Sequence, residues 1–521
     1  MKAVKGAVEV VKSFRQTTEE RVRELLRKYV TQEEPTIEHQ LKILLNFVTP
    51  DLWFQIITTT TTDDKSSATS LHFAANSGNT SMCKTILESG TAKEMYNLLT
   101  LQDSYGNTAV AHAAHHGRTE TVQYILDSVD SDKRYEMLKI QNHNGQTALH
   151  GAAWNGQTDV TRVILHSVTE EHQNNLLTLQ ESYGNTAIAY AALNGHTETV
   201  RCIVDSLDFD KRYEMLNIQS KKGLTALHCS AWNGHTDTIR RIAGFLKPET
   251  AYQLLLSEDN DGDSVLSVAI SKQHSDTAMH ILNTMSSENF HNIIKSSNDN
   301  GRTPLHIAAY EGLTDVVRHI LHSVESNSKE NLLRISDNDG DTPLFEAMSR
   351  GHIDIVKLIL QSTEDKESMI ALQNNEGSTG LHMAASNGHV EVLNTVLDCV
   401  TEEHKLTLLK IEDNNKNTVI AEAASRGQTE VIRSIIDAVG LTETLHLLSL
   451  QDKRGNTALH SAAQNRHLET ILYGLYSISS VQLEEQLFIK NFNDLTAHEI
   501  ALHSRPLVCE EETDFQGIKR T

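Results

Sequence analysis

Apolar residues recur along the chain at the spacing of amphipathic helices. In the stretch that begins at Thr119, the residues Val122, Ile125, Leu126 and Val129 stand at positions i, i+3, i+4 and i+7. This spacing places all four side chains on one face of a helix. The pattern predicts a helix whose apolar stripe packs into a core.

A shorter helical signal precedes each such stretch and begins at a threonine or serine, which we call the anchor. The phrase G-N-T-A-(V/L)-(A/H)-x-A-A surrounds it, and the anchors are Thr69, Thr108, Thr147, Thr186, Thr225, Ser264, Thr303, Thr342, Thr379, Thr418, Thr457 and Thr496. Ten of the eleven intervals are 39 residues, and the interval from Thr342 to Thr379 is 37. A fixed period predicts twelve stacked repeats rather than separate globular domains.

The residues around each anchor fit the ends of two helices. The anchor can cap the first helix, and Pro304 and Pro343 follow it directly, where a missing N–H costs nothing. Glycines able to adopt the left-handed conformation then end that helix, namely Gly117, Gly156, Gly195 and Gly234. A threonine followed by an acid is predicted to cap the second helix, at Thr119, Thr158, Thr197, Thr236, Thr314 and Thr429.

Three segments carry a family resemblance: GRTPLHIAAYEGLTDVVRHIL from Gly301, GQTALHGAAWNGQTDVTRVIL from Gly145 and GSTGLHMAASNGHVEVLNTVL from Gly377. They resemble ankyrin repeats, and the match recurs at a fixed phase across residues 63–504. The resemblance implies an all-α, ankyrin-repeat solenoid of stacked helix–turn–helix units with short hairpin fingers.

The period departs from the family, whose unit is usually about 33 residues. The extra residues follow the second helix and place two large apolar residues at a fixed phase, for example Leu98 with Leu99 and Met137 with Leu138. We predict that this insert is a short third helix or an extended segment that packs under the next turn.

Histidines follow the repeat and a second period of 78 residues. Every second repeat has histidine at the fourth position of its TPLH-like phrase, namely His72, His150, His228, His306, His382 and His460. Six more follow the helix-ending glycine position: His196, His235, His274, His352, His389 and His467. The resemblance implies structural hydrogen bonds to backbone for these side chains, so we predict no metal site.

The resemblance also implies that the two variable positions after the alanine pair, together with the finger turn, form a concave surface that faces a partner. These candidate partner-binding residues are His115, His116, Trp154, Asn155, Leu193, Asn194, Trp232, Asn233, Tyr310 and Glu311. Trp154, Trp232 and Tyr310 are spaced by 78 residues, and exposed aromatic residues are typical of binding hot spots. The alternative is that each tryptophan packs over the neighbouring finger or was copied by duplication.

Acidic residues cluster in the finger turns of repeats 6 to 8. Asp259, Asp261, Asp299, Asp337 and Asp339 could attract a basic peptide, or could form a solvated edge. The turns superficially resemble calcium loops, but an EF-hand needs a 12-residue loop ending in Glu. A tight hairpin is the better interpretation.

Composition narrows the partner and the compartment. The chain has 46 Lys and Arg against 69 Asp and Glu, a net charge of −23, which argues against nucleic-acid binding and favours partners with basic or apolar segments. Five widely separated cysteines without a CxxC pair suggest neither a disulfide framework nor a zinc ribbon, so we expect a reducing, cytoplasmic location. We expect a monomer with no signal peptide, membrane span, catalytic motif or cofactor.

These observations lead to a domain and function hypothesis. Residues 1–62 are predicted to form a helical capping segment, with a short interaction helix as the alternative. Residues 63–504 form the repeat array, and residues 505–521 form an acidic, disordered tail. The predicted function is a non-enzymatic scaffold or adaptor that holds a partner protein. The alternative is an effector of an intracellular bacterium or symbiont that binds host proteins.

Overall fold

A computed structural model describes residues 67–468 and 480–503, together with residues 20–25, 28, 40, 43, 54, 56–58 and 472. The chain divides into two compact units, Met1–Asn289 and Phe290–Thr521, which are described separately. Most of the predicted capping segment and the whole predicted tail lie outside the described residues, so both stay predictions. Among the described residues, none of the helices combines the length and the hydropathy that a bilayer crossing requires.

Each complete repeat contains three helices. The first helices are Ser70–Ser77, Ala109–His115, Ala148–Trp154, Ala187–Leu193, Ala226–Trp232, Val265–Ser271, Pro304–Glu311, Pro343–Arg350, Gly380–Ser386, Val419–Ser425, Ala458–Gln464 and Ala497–His503. The second helices are Thr80–Glu88, Thr119–Asp127, Thr158–His166, Thr197–Asp205, Thr236–Gly244, Ser275–Asn283, Thr314–His322, Ile353–Ser362, Val390–Asp398 and Thr429–Val439.

The insert forms a third helix, which decides between the two predicted alternatives. The third helices are Ala92–Thr100, Ser131–Leu138, Glu170–Thr178, Phe209–Leu216, Pro248–Leu255, Ser287–Ile293, Ser326–Leu333, Lys366–Ile370, Glu402–Leu409, Leu441–Ser449 and Ser480–Leu487. The paired apolar residues of the insert, such as Leu98 with Leu99 and Met137 with Leu138, are buried. The shorter interval between Thr342 and Thr379 falls in the repeat whose third helix, Lys366–Ile370, has only five residues.

The anchors and glycines act as predicted at the first helix. Thr147 is the N-cap of Ala148–Trp154, with extended backbone, and its hydroxyl accepts the backbone N–H of His150. Gly156 and Gly195 have φ of +67° and +70°, a conformation that side chains with a Cβ rarely adopt. The alanine pair Ala152 and Ala153 is fully buried where the first helices of successive repeats pack together.

The prediction that a threonine caps the second helix is wrong. Thr158 and Thr197 are the first residues of their helices, and the N-caps are Gln157 and His196, which make no side-chain cap bond. The Thr158 hydroxyl is instead 2.8 Å from the hydroxyl of Thr199 in the next repeat. Thr197 and Thr236 make the same bond to the next repeat, so these three threonines contribute to bonding between repeats, which a local capping pattern cannot reveal.

The fingers are tight turns, and no β-strand occurs in the part of the chain that the structure describes. In the first full finger, Asp103 accepts the backbone N–H groups of Tyr105 and Asn107 at 2.9 and 2.8 Å. Successive fingers are joined by backbone bonds, such as that from the N–H of His143 to the carbonyl of Tyr105 at 3.0 Å. Each finger tip is thus fixed to its neighbour within a unit.

Candidate functional site

The six histidines of the TPLH-like phrase are structural, as predicted. His150 is fully buried, with Nδ1 2.8 Å from Thr147 Oγ1 and Nε2 3.3 Å from the carbonyl oxygen of Asn185 in the next finger. Burial lowers the pKa of His150 to about 4, so the ring is neutral at physiological pH. The imidazole holds together the helix start of one repeat and the finger of the next.

The histidines after the glycine position also bond to backbone. His196 Nε2 donates to the carbonyl oxygen of Trp154 at 3.0 Å, and His235 Nε2 donates to that of Leu193 at 3.0 Å. His274 Nε2 donates to the carbonyl oxygen of Trp232 at 3.0 Å. These bonds fix the backbone at the candidate partner-binding positions.

Trp154 and Trp232 lie at the ends of first helices with large exposed fractions, 41% and 38%. The Trp154 ring meets Tyr190 edge to face, with ring centroids 4.8 Å apart. The ammonium group of Lys272 lies 3.7 Å from the centroid of the Trp232 ring. Tyr190 and Lys272 belong to the first-helix region of the next repeat, so both of these ring contacts are to a first helix rather than to a finger. Each ring is held by a neighbour and still presents surface to solvent.

Leu193 and Tyr310 are half-buried. The guanidinium groups of Arg350 and Arg302 lie 3.8 and 5.1 Å from the centroid of the Tyr310 ring. Leu193 belongs to the same compact unit as the two tryptophans, whereas Tyr310 belongs to the second unit.

The asparagines that follow these residues use their amides inside the array. Asn194 Nδ2 donates to the carbonyl oxygen of Tyr190 at 3.2 Å, and Asn233 Nδ2 donates to that of Leu193 at 2.7 Å. Asn155 Nδ2 bonds to the carbonyl oxygen of Gly151 and to His115 Nδ1, at 3.0 and 2.9 Å. The sequence pattern groups these asparagines with the contact residues, but their amide donors brace the helix ends.

A pocket of about 400 Å³, lined by residues of repeats 1 to 3, lies beside candidate partner-binding residues. The exposed residues His115 and His116 line it, their rings in edge contact at 4.8 Å between centroids. Burial, together with neighbouring positive charge, lowers the pKa of both rings. Glu311, the remaining candidate, is half-buried in the second unit.

The predicted surface omits two exposed tyrosines of the fingers. Tyr105 and Tyr183 stand at finger tips with 67% and 72% of their surface exposed. The sequence carries a signal for them, since both belong to the duplicated segments LLTLQDSYGNTA and LLTLQESYGNTA. The resemblance implied a role for the finger turns, but the aromatic candidates were taken only from first-helix positions, so these two tyrosines were not among them.

The acidic finger residues divide into two groups. Asp261, Asp299 and Asp339 are exposed. Asp259 instead accepts the backbone N–H groups of Asp261 and Asp263, at 2.9 and 3.0 Å. It therefore serves mainly to shape its own turn.

Asp337 does not lie on the exposed edge, which corrects the prediction for this residue. It is only 7% exposed and accepts the N–H groups of Asp339 and Asp341, both at 3.0 Å. Asp103 at the equivalent position is also buried and also accepts two backbone donors, a bonding pattern that draws the side chain inward.

Asp337 also belongs to a carboxylate cluster with Asp341 and Glu346, whose oxygens lie within 4.8 Å of one another. Arg302 contacts Asp337 at 3.2 Å and Glu346 at 2.5 Å. Burial raises the pKa of Glu346 to about 7 and that of Asp341 to about 6. Because the guanidinium supplies the positive charge that a metal ion would otherwise supply, we assign no cation to this cluster.

Comparison with known proteins agrees with the repeat geometry. The family model described as "Ankyrin repeats (3 copies)" matches residues 37–137, 71–175, 168–246, 241–331, 324–407 and 401–478. A comparison with curated proteins finds no match. Repeats of this family generally mediate protein–protein interaction.

Proposed function

Because the chain belongs to the ankyrin-repeat family, we propose that it is a non-enzymatic scaffold or adaptor that holds a partner protein on its first-helix surface. We define that surface by Trp154, Leu193 and Trp232, with Tyr105 and Tyr183 at the finger tips. All five residues belong to the first compact unit. The proposal also holds that the protein is monomeric and binds no nucleic acid.

The observation that carries the proposal is the exposure of the two tryptophans. A tryptophan offers roughly 150–250 Å² of surface, so the exposed part of Trp154 or Trp232 amounts to on the order of 80 Å². Covering it with a partner contributes about 2 kcal/mol at roughly 25 cal/mol per Å². Their fixed backbones and ring contacts reduce the entropy that is lost on binding.

The surroundings of these rings favour a partner with an apolar segment. Trp154 leaves indole surface open next to the half-buried Leu193. Lys272 already occupies one face of Trp232, so a partner side chain meets only the remaining ring surface. The exposed acid Asp261, which belongs to the same compact unit, supports a partner that also carries basic residues.

The histidine geometry supports a non-enzymatic role. The imidazoles of His150 and His235, like their counterparts in other repeats, bond to backbone groups of the fold. A general base must instead be free to reach a substrate proton. A cofactor that raised the melting temperature would contradict this part of the proposal.

The test is affinity capture from native cells with wild type and the Trp154→Ala plus Trp232→Ala variant. We expect the variant to retain its circular dichroism melting profile and to lose most of the captured partner. Phe488→Ala is the matched control, because Phe488 is 71% exposed but does not lie on a first helix. Unchanged capture by the double variant would refute the proposal.

A further inference from the structure

The end of the second helix of repeat 5 departs from the pattern of its neighbours. Position 20 after the anchor carries Phe245, whereas the other repeats from 1 to 6 carry a hydroxyl residue there: Ser89, Ser128, Ser167, Ser206 and Thr284. Position 22 carries Lys247, whereas those repeats carry an acid or a hydroxyl residue: Thr91, Asp130, Thr169, Asp208 and Ser286.

Two more departures lie just before these positions, in the last residues of the second helix. Gly244 stands at position 19 after the anchor, where the other repeats from 1 to 6 carry polar residues: Glu88, Asp127, His166, Asp205 and Asn283. Arg241 stands at position 16, where those repeats carry Thr85, Tyr124, Val163, Cys202 and His280. Four departures within residues 241–247 set this segment apart from the equivalent segments of the same unit.

The departures at positions 20 and 22 remove local stabilising bonds. The hydroxyl of Ser206 donates to the carbonyl oxygen of Ile203 at 2.6 Å, a bond that Phe245 cannot make. Asp130 accepts the N–H of Lys133 at 3.1 Å as an N-cap, whereas Lys247 makes no side-chain cap bond. Loss of such a cap usually costs about 1 kcal/mol. Sites that break local rules in this way are typical of function rather than stability.

Three of the four altered residues, Arg241, Gly244 and Phe245, line a pocket of about 570 Å³ on the second-helix side of the unit. It is lined by Thr197, Asp237, Arg240, Arg241, Gly244 and Phe245. A Cβ placed on Gly244 would meet no atom within 4 Å, so the missing side chain leaves open space. We call this the repeat 5 pocket.

The pocket and its border carry positive charge that the fold does not neutralise. Within the described residues, Arg241, Arg212 and Lys247 form no ion pair with a carboxylate, although the whole chain has a net charge of −23. Arg212 and Lys247 each lie 5.6 Å from the centroid of the Phe209 ring. Arg212 also lies 5.7 Å from the centroid of Phe245, which links this border to the pocket.

Two further features define the ligand chemistry. Arg240 is paired with Asp237 at 2.5 Å, so Arg241 is the guanidinium in the pocket that remains available for a carboxylate. Phe209 is 48% exposed, which provides an apolar contact next to the cations. A guanidinium binds a carboxylate through two parallel hydrogen bonds, and the phenyl ring prefers an apolar side chain.

We propose that the repeat 5 pocket binds an acidic polypeptide segment, with a carboxylate on Arg241 and an apolar side chain against Phe209 and Phe245. Charge complementarity in an otherwise acidic protein carries this assignment. The pocket uses second and third helices, so it is a binding site in addition to the first-helix surface. A partner could occupy either site without the other.

The test uses fluorescence anisotropy with a labelled 12-residue peptide that contains glutamates and two phenylalanines. The main variant restores the repeat pattern with Arg241→Val, Gly244→Asp, Phe245→Ser and Lys247→Asp. We expect at least tenfold weaker peptide binding together with an equal or higher melting temperature. Arg241→Val alone should weaken binding severalfold, and it keeps the test valid if the fourfold variant folds poorly.

Three controls distinguish binding at the repeat 5 pocket from nonspecific charge attraction and from binding at the first-helix surface. Arg162→Gln removes an exposed, ion-paired arginine from the equivalent helix of repeat 3 and should leave binding unchanged. A peptide with glutamine in place of glutamate should not bind. Trp154→Ala plus Trp232→Ala should bind the acidic peptide as wild type does. Equal binding of the glutamine peptide, full binding by the restored variant, or loss of binding in the tryptophan variant would overturn the proposal.

Discussion

Replacing His150 by glutamine should destabilise the protein more at pH 7.5 than at pH 5. His150 is fully buried, and burial lowers its pKa from 6.5 to about 4. The unfolded state therefore binds a proton between pH 6.5 and 4 that the folded state does not bind. The stability that neutral His150 contributes is fully present above pH 6.5 and is lost as the pH falls through this window.

The expected magnitude follows from the two pKa values. At pH 5 the unfolded histidine is mostly protonated and the folded one is not, which lowers the free energy of unfolding by about 2 kcal/mol relative to pH 7.5. Glutamine does not titrate, although it can still serve at the third position of a capping box. The cost of His150→Gln should therefore be about 2 kcal/mol smaller at pH 5.

The assay is urea unfolding followed by circular dichroism at both pH values, with hydrogen exchange of Ala148–Trp154 as a local readout. His143→Gln is the matched control, because His143 is exposed on a finger. Its effect should stay within about 0.5 kcal/mol at both pH values, as for most surface substitutions. A cost of His150→Gln that is the same at pH 7.5 and pH 5 would refute the assignment of a buried neutral imidazole.

Two other predictions concern buried charge and backbone conformation. Burial raises the pKa of Glu346 from 4.5 to about 7, so its ionisation destabilises the fold increasingly as the pH rises through this window. Glu346→Gln should raise the free energy of unfolding by about 2–3 kcal/mol at pH 8 and by less than about 1 kcal/mol at pH 5; a larger gain at pH 5 would contradict this reasoning. Gly195 has φ of +70°, and an added Cβ would lie 2.5 Å from His235 Nδ1, so Gly195→Ala should cost more than about 1 kcal/mol. Gly244→Ala, where the space is open, should be neutral or stabilising by up to about 1 kcal/mol. Thermal melts of both glycine variants test this, and equal losses of stability would argue against a conformational cause.

The repeat architecture could be predicted because each repeat must bury the same stripe against its neighbours. The spacing of Val122, Ile125 and Leu126 shows the helix face that packs inward, and all three are fully buried. The insert was ambiguous because an apolar pair such as Leu98 with Leu99 fits either a helix or a strand. Its helical form was decided by the capping box of Thr91 with Glu94 and by packing.

The candidate site was predictable in position but not in the use of each side chain. Trp154 and Trp232 are exposed as the pattern indicated, whereas the neighbouring Asn194 and Asn233 use their amides to brace helix ends. Whether these tryptophans contact a partner stays a prediction.

The sequence by itself determined the period, the starts of the first helices and the helix-ending glycines, because these depend on residues a few positions apart that recur from repeat to repeat. Only the tertiary structure decided the bonding of Thr158 to Thr199, the inward position of Asp337 and the grouping of Arg241 with Phe245 and Phe209. Those outcomes depend on side chains that meet across repeats or on which groups must satisfy buried donors. A sequence pattern gives the position of a residue within its repeat, but it does not show which residue of the next repeat lies opposite or which buried donors need an acceptor.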